Sequence, residues 1–254
     1  MSSWQWCSCA VIGRAARPVA DAALAFLVAP LCAVCREPIE RPTRGAVCPS
    51  CWSSIESFVP PCCATCGDAL PSWRTFSVTD GRCPRCRRRP PPIALAAAIG
   101  PYRGALERIV QAFKYDGRTS LGRPLADRLR ASGARVFAGA DAVVPVPLHR
   151  SRERQRGFNQ ARELARHLGL PTLDALTRSR ATRLQADLSA ARRQANVRGA
   201  FAVRHGIDVR GLTLVVVDDV STTGATLAAC ARPLLAAGAA EIRAATAAKT
   251  NRCQ

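Results

Sequence analysis

The chain has 254 residues, 48% of them apolar, which is enough for one sizeable core plus a smaller module and too apolar for wholesale disorder. Its 37 Lys+Arg against 18 Asp+Glu give a formal charge of +19, a surplus that favours polyanionic or phosphorylated partners. No apolar run reaches the length of a membrane-spanning helix.

The first 31 residues form a segment of their own. "PVADAALAFLVAP" (Pro18 to Pro30) is interrupted by Asp21 and is too short to cross a bilayer. It lacks a clear small-residue cleavage site and runs directly into cysteines, so it makes a poor signal peptide. An amphipathic helix packed against the body is expected, and with it a cytoplasmic protein.

Four CxxC pairs follow: Cys32 and Cys35, Cys48 and Cys51, Cys63 and Cys66, Cys83 and Cys86. A two-residue gap lets both sulfurs face one metal from a tight turn, and two pairs complete a closed tetrahedral site, so the zinc would be structural. Sixteen residues separate Cys66 from Cys83, as in a zinc ribbon, and 12 separate Cys35 from Cys48. Pairing is either sequential or crossed, and Cys62 is a second candidate beside Cys63. A disulfide framework would need an oxidising compartment, and the flanks of a redox CxxC are missing. Two four-thiolate zinc sites would lower the net charge to about +15. Cys7, Cys9, Cys230 and Cys253 are not expected to bind metal.

"RRRPPP" (Arg87 to Pro92) breaks helix and strand alike and marks a module boundary. Three segments are therefore expected. Residues 1–31 carry the amphipathic helix, residues 32–92 a double zinc ribbon with its Arg/Pro linker, and residues 93–254 an α/β domain. Within the last, Leu106, Ile109, Val110 and Phe113 fall at helical spacing, as do Leu121, Leu125 and Leu129. "DAVVPVPL" (Asp141 to Leu148) reads as a short buried strand leaving into a loop. Ala161, Leu164, Ala165 and Leu168 stripe another helix. "LTLVVV" (Leu212 to Val217) reads as a central strand of a parallel sheet covered on both faces. Leu227, Cys230, Ala231 and Leu234 stripe the next helix, and "GAAEIRAATAA" supplies the last strand. This alternation predicts a doubly wound parallel sheet whose ligands sit beyond the carboxyl ends of its strands.

That rule directs attention to "LVVVDDVSTTGATL" (Leu214 to Leu227). Ser221, Thr222, Thr223, Gly224 and Thr226 offer hydroxyls and amides at a helix N-terminus, where a phosphate is favoured. Gly224 permits a positive φ and keeps a side chain out of the way. Asp218 and Asp219 would repel a phosphate set upon them and suit vicinal sugar hydroxyls or magnesium instead. A phosphorylated ribose meets both demands. An ordinary acidic strand end with a capped helix would look similar, but two adjacent buried-side carboxylates are costly without a partner. The loop is neither a Walker loop nor a dinucleotide fingerprint.

"VVVDDVSTTGAT" resembles the phosphoribosyl pyrophosphate (PRPP) motif of type I phosphoribosyltransferases. "PVPLHRSRERQRGFNQA" (Pro145 to Ala161), "RLQADLSAARRQANVRGAF" (Arg183 to Phe201) and the cysteine module in front are similar to the ComF family of late-competence proteins. The resemblance implies a type I phosphoribosyltransferase-like fold with a five-stranded parallel core behind a small N-terminal zinc-ribbon domain. By the same resemblance, Asp218 and Asp219 take the ribose hydroxyls and magnesium, and Ser221, Thr222, Thr223, Gly224, Ala225 and Thr226 cradle the 5′-phosphate. Leu148, His149 and Arg150 meet the pyrophosphate. Arg152, Arg154 and Arg156 lie on a mobile segment, with Arg154 and Arg156 assigned to catalysis alongside the two aspartates. Guanidinium groups suit a departing pyrophosphate while an oxocarbenium ion forms.

Gly157 would let that segment hinge, and Asn159 would cap the helix after it. Gln185, Arg192 and Asn196 match family positions without a clear role. Lys114 and Tyr115 are read as capping a helix end, and His167 and His205 as surface residues. Purine-salvage members often place a carboxylate where Thr222 stands, and threonine is no base at neutral pH, which argues against a purine acceptor. Two functions stand ahead of a third, a zinc-dependent interaction module on an inert scaffold. One is a magnesium- and PRPP-dependent phosphoribosyltransferase with structural zinc. The other is a non-catalytic accessory protein of natural transformation that handles single-stranded DNA beside competence-machinery proteins. Aromatic content of 5% is thin for a base-stacking platform and favours backbone contact.

Overall fold

The computed structural model describes residues 21–23, 26–27, 29–78, 80–178 and 199–250. The chain divides into two compact units, Met1–Ile55 and Glu56–Gln254. Each contains one group of four cysteines.

The smaller unit is organised around Cys32, Cys35, Cys48 and Cys51. Its first knuckle closes with Cys32 N–H donating to the Glu37 carbonyl and Arg36 N–H to that of Cys32. Its second cysteine pair opens a single-turn helix, α1 (Pro49–Ser53), with Cys48 as N-cap and proline at the first position. Asp21 is buried, and its carboxylate accepts from Thr43 N–H at 2.8 Å. The segment from Pro18 to Pro30 was expected to pack as an amphipathic helix and lies partly outside the described residues. Where it is described, the polar Asp21 is the engaged side chain, while Phe26 and Leu27 stand 88% and 76% exposed.

The larger unit opens with the same design. Cys63 N–H donates to Asp68 O, Gly67 N–H to Cys63 O, and Cys83 caps a helix that begins with proline, α3 (Pro84–Arg88). Between the cysteine pairs lies α2 (Trp73–Val78), whose Trp73 and Phe76 rings meet edge to face.

The α/β body follows, with β1 (Ala96–Pro101), α4 (Gly104–Tyr115), α5 (Gly122–Ser132), α6 (Ala134–Phe137) and β2 (Ala142–Pro145). Next come α7 (Arg150–Arg156), α8 (Gln160–Ala165), β3 (Leu176–Arg178) and β4 (Phe201–Val203). The chain closes on β5 (Thr213–Ser221), α9 (Ala225–Ala236) and β6 (Glu241–Lys249). Strands β1, β6, β5 and β2 form a parallel sheet in that order, and β3 and β4 form a separate antiparallel pair.

Where a five-stranded core was expected, the parallel sheet has four strands among the described residues, and the fifth position is held by a single parallel bridge from Val143 to Thr172. Pro171 occupies the chain at that point, and a residue without an N–H cannot extend a ladder. Strand β1 escaped the sequence reading because its Ala-rich "AAAIGP" carries almost no β-branched signal.

Leu214, Val215, Val216 and Val217 are all fully buried, as a central strand covered on both faces requires. Leu214 and Val216 join Leu227, Cys230, Ala231 and Leu234 of α9 in one core cluster. Strand alternation turns Val215 and Val217 to the opposite face, where α8 packs on β5 and β2. Leu106, Ile109, Val110 and Phe113 are each at most 1% exposed and bury the predicted stripe of α4. Each such side chain is worth about 1.5–3 kcal/mol. At Gly100 no side chain is possible, because a Cβ there would lie 2.0 Å from the Glu56 carbonyl oxygen.

Candidate functional site

The two cysteine groups resolve sequentially, Cys32, Cys35, Cys48 and Cys51 in one and Cys63, Cys66, Cys83 and Cys86 in the other, each with its sulfurs within 4.8 Å of one another. Sulfurs from different pairs approach at 3.8 Å (Cys35 to Cys48) and 3.7 Å (Cys66 to Cys83). Four sulfurs at about 2.3 Å from zinc in a tetrahedron stand about 3.8 Å apart, so both groups fit that ion. Backbone amides aim at the sulfurs: Val34 and Cys48 N–H at Cys32 Sγ, and Cys83 N–H at Cys63 Sγ.

The thiols are electrostatically frustrated without a cation. Hydrogen bonds from Cys66 and Cys86 hold Cys63 well below the usual thiol range, and the same bond pushes Cys66 far above it. Cys48 is drawn down to about 6, chiefly by the Ser50 hydroxyl. A divalent ion removes this conflict by letting all four ionise. Cys62 stands outside the second group, its thiol 3.6 Å from the Val59 carbonyl. Cys230 is fully buried in the α9 face.

The second site lies at the carboxyl end of β5. Asp218 and Asp219 are its sixth and seventh residues, so they turn to opposite faces of the sheet. Asp219 is 9% exposed, and its Oδ1 is 3.1 Å from Lys114 Nζ. Its Oδ2 is 3.9 Å from Arg156 Nη1. The sequence reading gave Lys114 only a capping role, and the structure corrects this. The end of α4 delivers the ammonium to the carboxylate that no residue near it in sequence could pair.

Arg156 is itself held, donating to Gln160 Oε1 at 3.1 Å and lying 5.3 Å over the Tyr115 ring. The buried Gln160 is within 3.5 Å of the Lys114 carbonyl, which joins α4, α7 and α8 at one point. Asp218 takes a hydrogen bond from Asp219 N–H at 2.9 Å. Burial, reinforced by the neighbouring Asp219 charge, pushes its carboxyl up to about 7. Arg178, at the end of β3, contributes a partly compensating positive charge to it.

Beyond the acids the chain turns at Gly224, in the left-handed region at φ +73°, and enters α9. A Cβ at Gly224 would meet nothing within 4 Å, so the space above the turn is open. The N-cap is this glycine, which has no side chain to cover the first-turn amides, although Thr223 Oγ1 accepts from Ala225 N–H at 3.2 Å. Ser221 is buried, while Thr222, Thr223, Ala225 and Thr226 are half-buried. A cleft of about 520 Å³ adjoins the turn, with Arg85, Arg89, Arg232 and Lys249 on its walls.

The segment after β2 is ordered as α7. His149 caps it, accepting from Ser151 N–H at 3.4 Å, and Gly157 closes it in the left-handed region at φ +79°. Leu148 and His149 are half-buried, and the backbone of Arg150 begins the helix. Arg156 is brought to Asp219, whereas Arg154 lies on the exposed side of α7. Asn159 caps α8 as expected, accepting from Ala161 and Arg162 N–H while donating to the Val146 carbonyl. His205 is exposed, and His167 is half-buried, 3.1 Å from Glu163. Gln185, Arg192, Asn196, Cys7, Cys9 and Cys253 lie outside the described residues.

Comparison with known proteins matches two stretches of the chain to domain families. Residues 154–254 match the model of the phosphoribosyl transferase domain, and residues 23–87 that of the double zinc ribbon domain. The chain is 34% identical to the DNA utilization protein YhgH of Salmonella typhi, over 84% of this chain and 94% of that protein. It is 31% identical to competence protein F of Haemophilus influenzae, over 79% and 89%. It is 28% identical to competence protein ComFC of Bacillus subtilis, over 85% and 83%. Among the described residues no helix is long and apolar enough to cross a membrane.

Proposed function

From the premise that this chain belongs to the ComF family of competence proteins, with a phosphoribosyltransferase domain and a double zinc ribbon, we propose that it binds PRPP with magnesium and transfers the phosphoribosyl group to an acceptor. One observation carries the reading. An acidic pair at a strand end, Asp219 buried and Asp218 half-buried, leads straight into an open glycine turn at the start of a 12-residue helix. Phosphate belongs at the amide-rich end of that helix, and a diol belongs on the acids.

In this reading Ser221, Thr222, Thr223, Gly224, Ala225 and Thr226 hold the 5′-phosphate. Asp219, fixed by Lys114 and Arg156, and Asp218 accept hydrogen bonds from the ribose hydroxyls. Leu148, His149 and Arg150 line the pyrophosphate side, and Arg154 and Arg156 supply cations for the leaving group. Magnesium, when bound with the substrate, neutralises part of the pyrophosphate charge. Breaking the bond from C1 to pyrophosphate leaves an oxocarbenium-like sugar. Fixed carboxylates on one side and guanidinium groups on the other stabilise that separation of charge without reorganising. Threonine at position 222 offers no base for a purine proton, so the acceptor is one that reacts without such help.

Binding is tested by calorimetry with PRPP and magnesium. Wild type binds, and Asp218→Asn with Asp219→Asn abolishes binding while the circular dichroism spectrum is retained. Equal affinity in the double variant defeats the assignment. The relatives are named for DNA utilization and competence, which supports a role for this chemistry in the handling of DNA. The basic walls beside the glycine turn are the observation that keeps single-stranded DNA as the alternative ligand.

A further inference from the structure

We infer that the second cysteine group positions the phosphate loop, with Arg85 and Lys249 as the positioning residues that tie the two together. The inference rests on reading residues 221–226 as the phosphate loop, and it assigns the neighbouring metal site a part in shaping it.

The contacts converge on Asp68, two residues after the ligand Cys66 and 2% exposed. Lys249 Nζ is 2.6 Å from Asp68 Oδ1 and also donates to the Cys66 carbonyl. Arg85 Nη2 is 3.3 Å from Asp68 Oδ2. From there Arg85 reaches the loop with its side chain and Lys249 through its strand backbone. Arg85 Nη1 donates to the Thr223 carbonyl at 3.5 Å. Lys249 is the last residue of β6, paired in register with Ser221, and the next amide, Thr250 N–H, donates to Ser221 O at 2.9 Å. Ser221 and Thr223, on the strand side of the turn at Gly224, are thus held by residues that also hold the cysteine group.

Charge explains why those residues are there. A four-thiolate zinc centre carries −2, and Asp68 adds a further negative charge. Two cations packed against it offset most of that, at a depth where an unbalanced charge is costly. Lys249, 8% exposed, cannot turn to water without stranding Asp68, while Arg85, 44% exposed, bridges Asp68 and Thr223 at the surface. Without the ion, the two cysteine turns that carry Asp68 and Arg85 lose their shared anchor. The grip on Ser221 and Thr223 then slackens.

Amide hydrogen exchange of residues 221–226 in the zinc-loaded, full-length chain reads this out without any ligand. Arg85→Met keeps both zinc ions by metal analysis, because Arg85 is not a ligand, and speeds exchange of the loop at least tenfold. Cys66→Ser, which empties the second site, does the same. Arg82→Met removes an exposed cation of the same ribbon and leaves loop exchange unchanged. Unaltered exchange in Arg85→Met at full zinc content overturns the inference, and so does equal loosening by Arg82→Met. Titration with PRPP and magnesium separates this inference from the proposed function. Binding by wild type that weakens about tenfold in Arg85→Met supports both. A wild type that does not bind, with a loop that still loosens, removes the function and keeps the positioning role.

Discussion

Lys249 Nζ stands 2.6 Å from Asp68 Oδ1, so the last residue of a central strand is ion-paired with a carboxylate inside a cysteine knuckle. Their side chains are 8% and 2% exposed, which makes this one of the most deeply buried ion pairs among the described residues. It joins the second ribbon to the sheet edge on which the candidate ligand site is built.

Removing Lys249 leaves Asp68 with the more exposed Arg85 as its remaining cation. Lys249→Met is expected to cost up to about 3 kcal/mol in urea unfolding at constant zinc. Lys249→Met combined with Asp68→Asn should recover much of that loss, because the under-compensated carboxylate is gone. Additive losses in the double variant would show that the two side chains act independently.

Asp218 gives the fold a pH dependence of definite sign. Its folded carboxyl titrates at about 7, above the ordinary carboxylate value, because of burial and the adjacent Asp219. Between about pH 4 and pH 7 the folded chain keeps a proton that the unfolded chain has released. The contribution of this group to stability is therefore full below about pH 4 and is lost as pH rises through 7. Relative to wild type, Asp218→Asn should gain stability between pH 5 and pH 8 in paired urea titrations. A difference between the two proteins that stays flat over that window would place the Asp218 proton elsewhere.

Lys114 competes with any cation for Asp219, from 3.1 Å. Lys114→Met frees that carboxylate and should tighten magnesium alone by about tenfold at pH 8, read by calorimetry without PRPP. Weaker magnesium binding in a folded Lys114→Met protein would mean that the ammonium shapes the site instead of blocking it.

The acids themselves were legible because everything that marks them is contiguous. A β-branched run, two aspartates, hydroxyls, one glycine and a helical stripe follow one another within "LVVVDDVSTTGATL". The partners of the acids were not legible. Lys114 ends a helix more than a hundred residues earlier, and its own neighbours, Tyr115 and Asp116, give it the look of an ordinary helix terminus. Strand β1 was hidden by alanine, which carries little β preference, and the β3–β4 pair by being only three residues long on each side.

By itself the sequence determined the chemistry that short spacings carry. Two cysteines three positions apart share a turn wherever the turn is placed, and an acidic pair before a glycine turn stays at a strand end. Only the tertiary structure decided which cysteine pairs meet, that Lys114 and Arg156 close on Asp219, and that Lys249 reaches Asp68. Local geometry is fixed by bond lengths and backbone dihedrals within a few residues. Which distant segments lie side by side is fixed by how the helices cross the sheet, and that crossing brings together charges that no spacing in the chain relates.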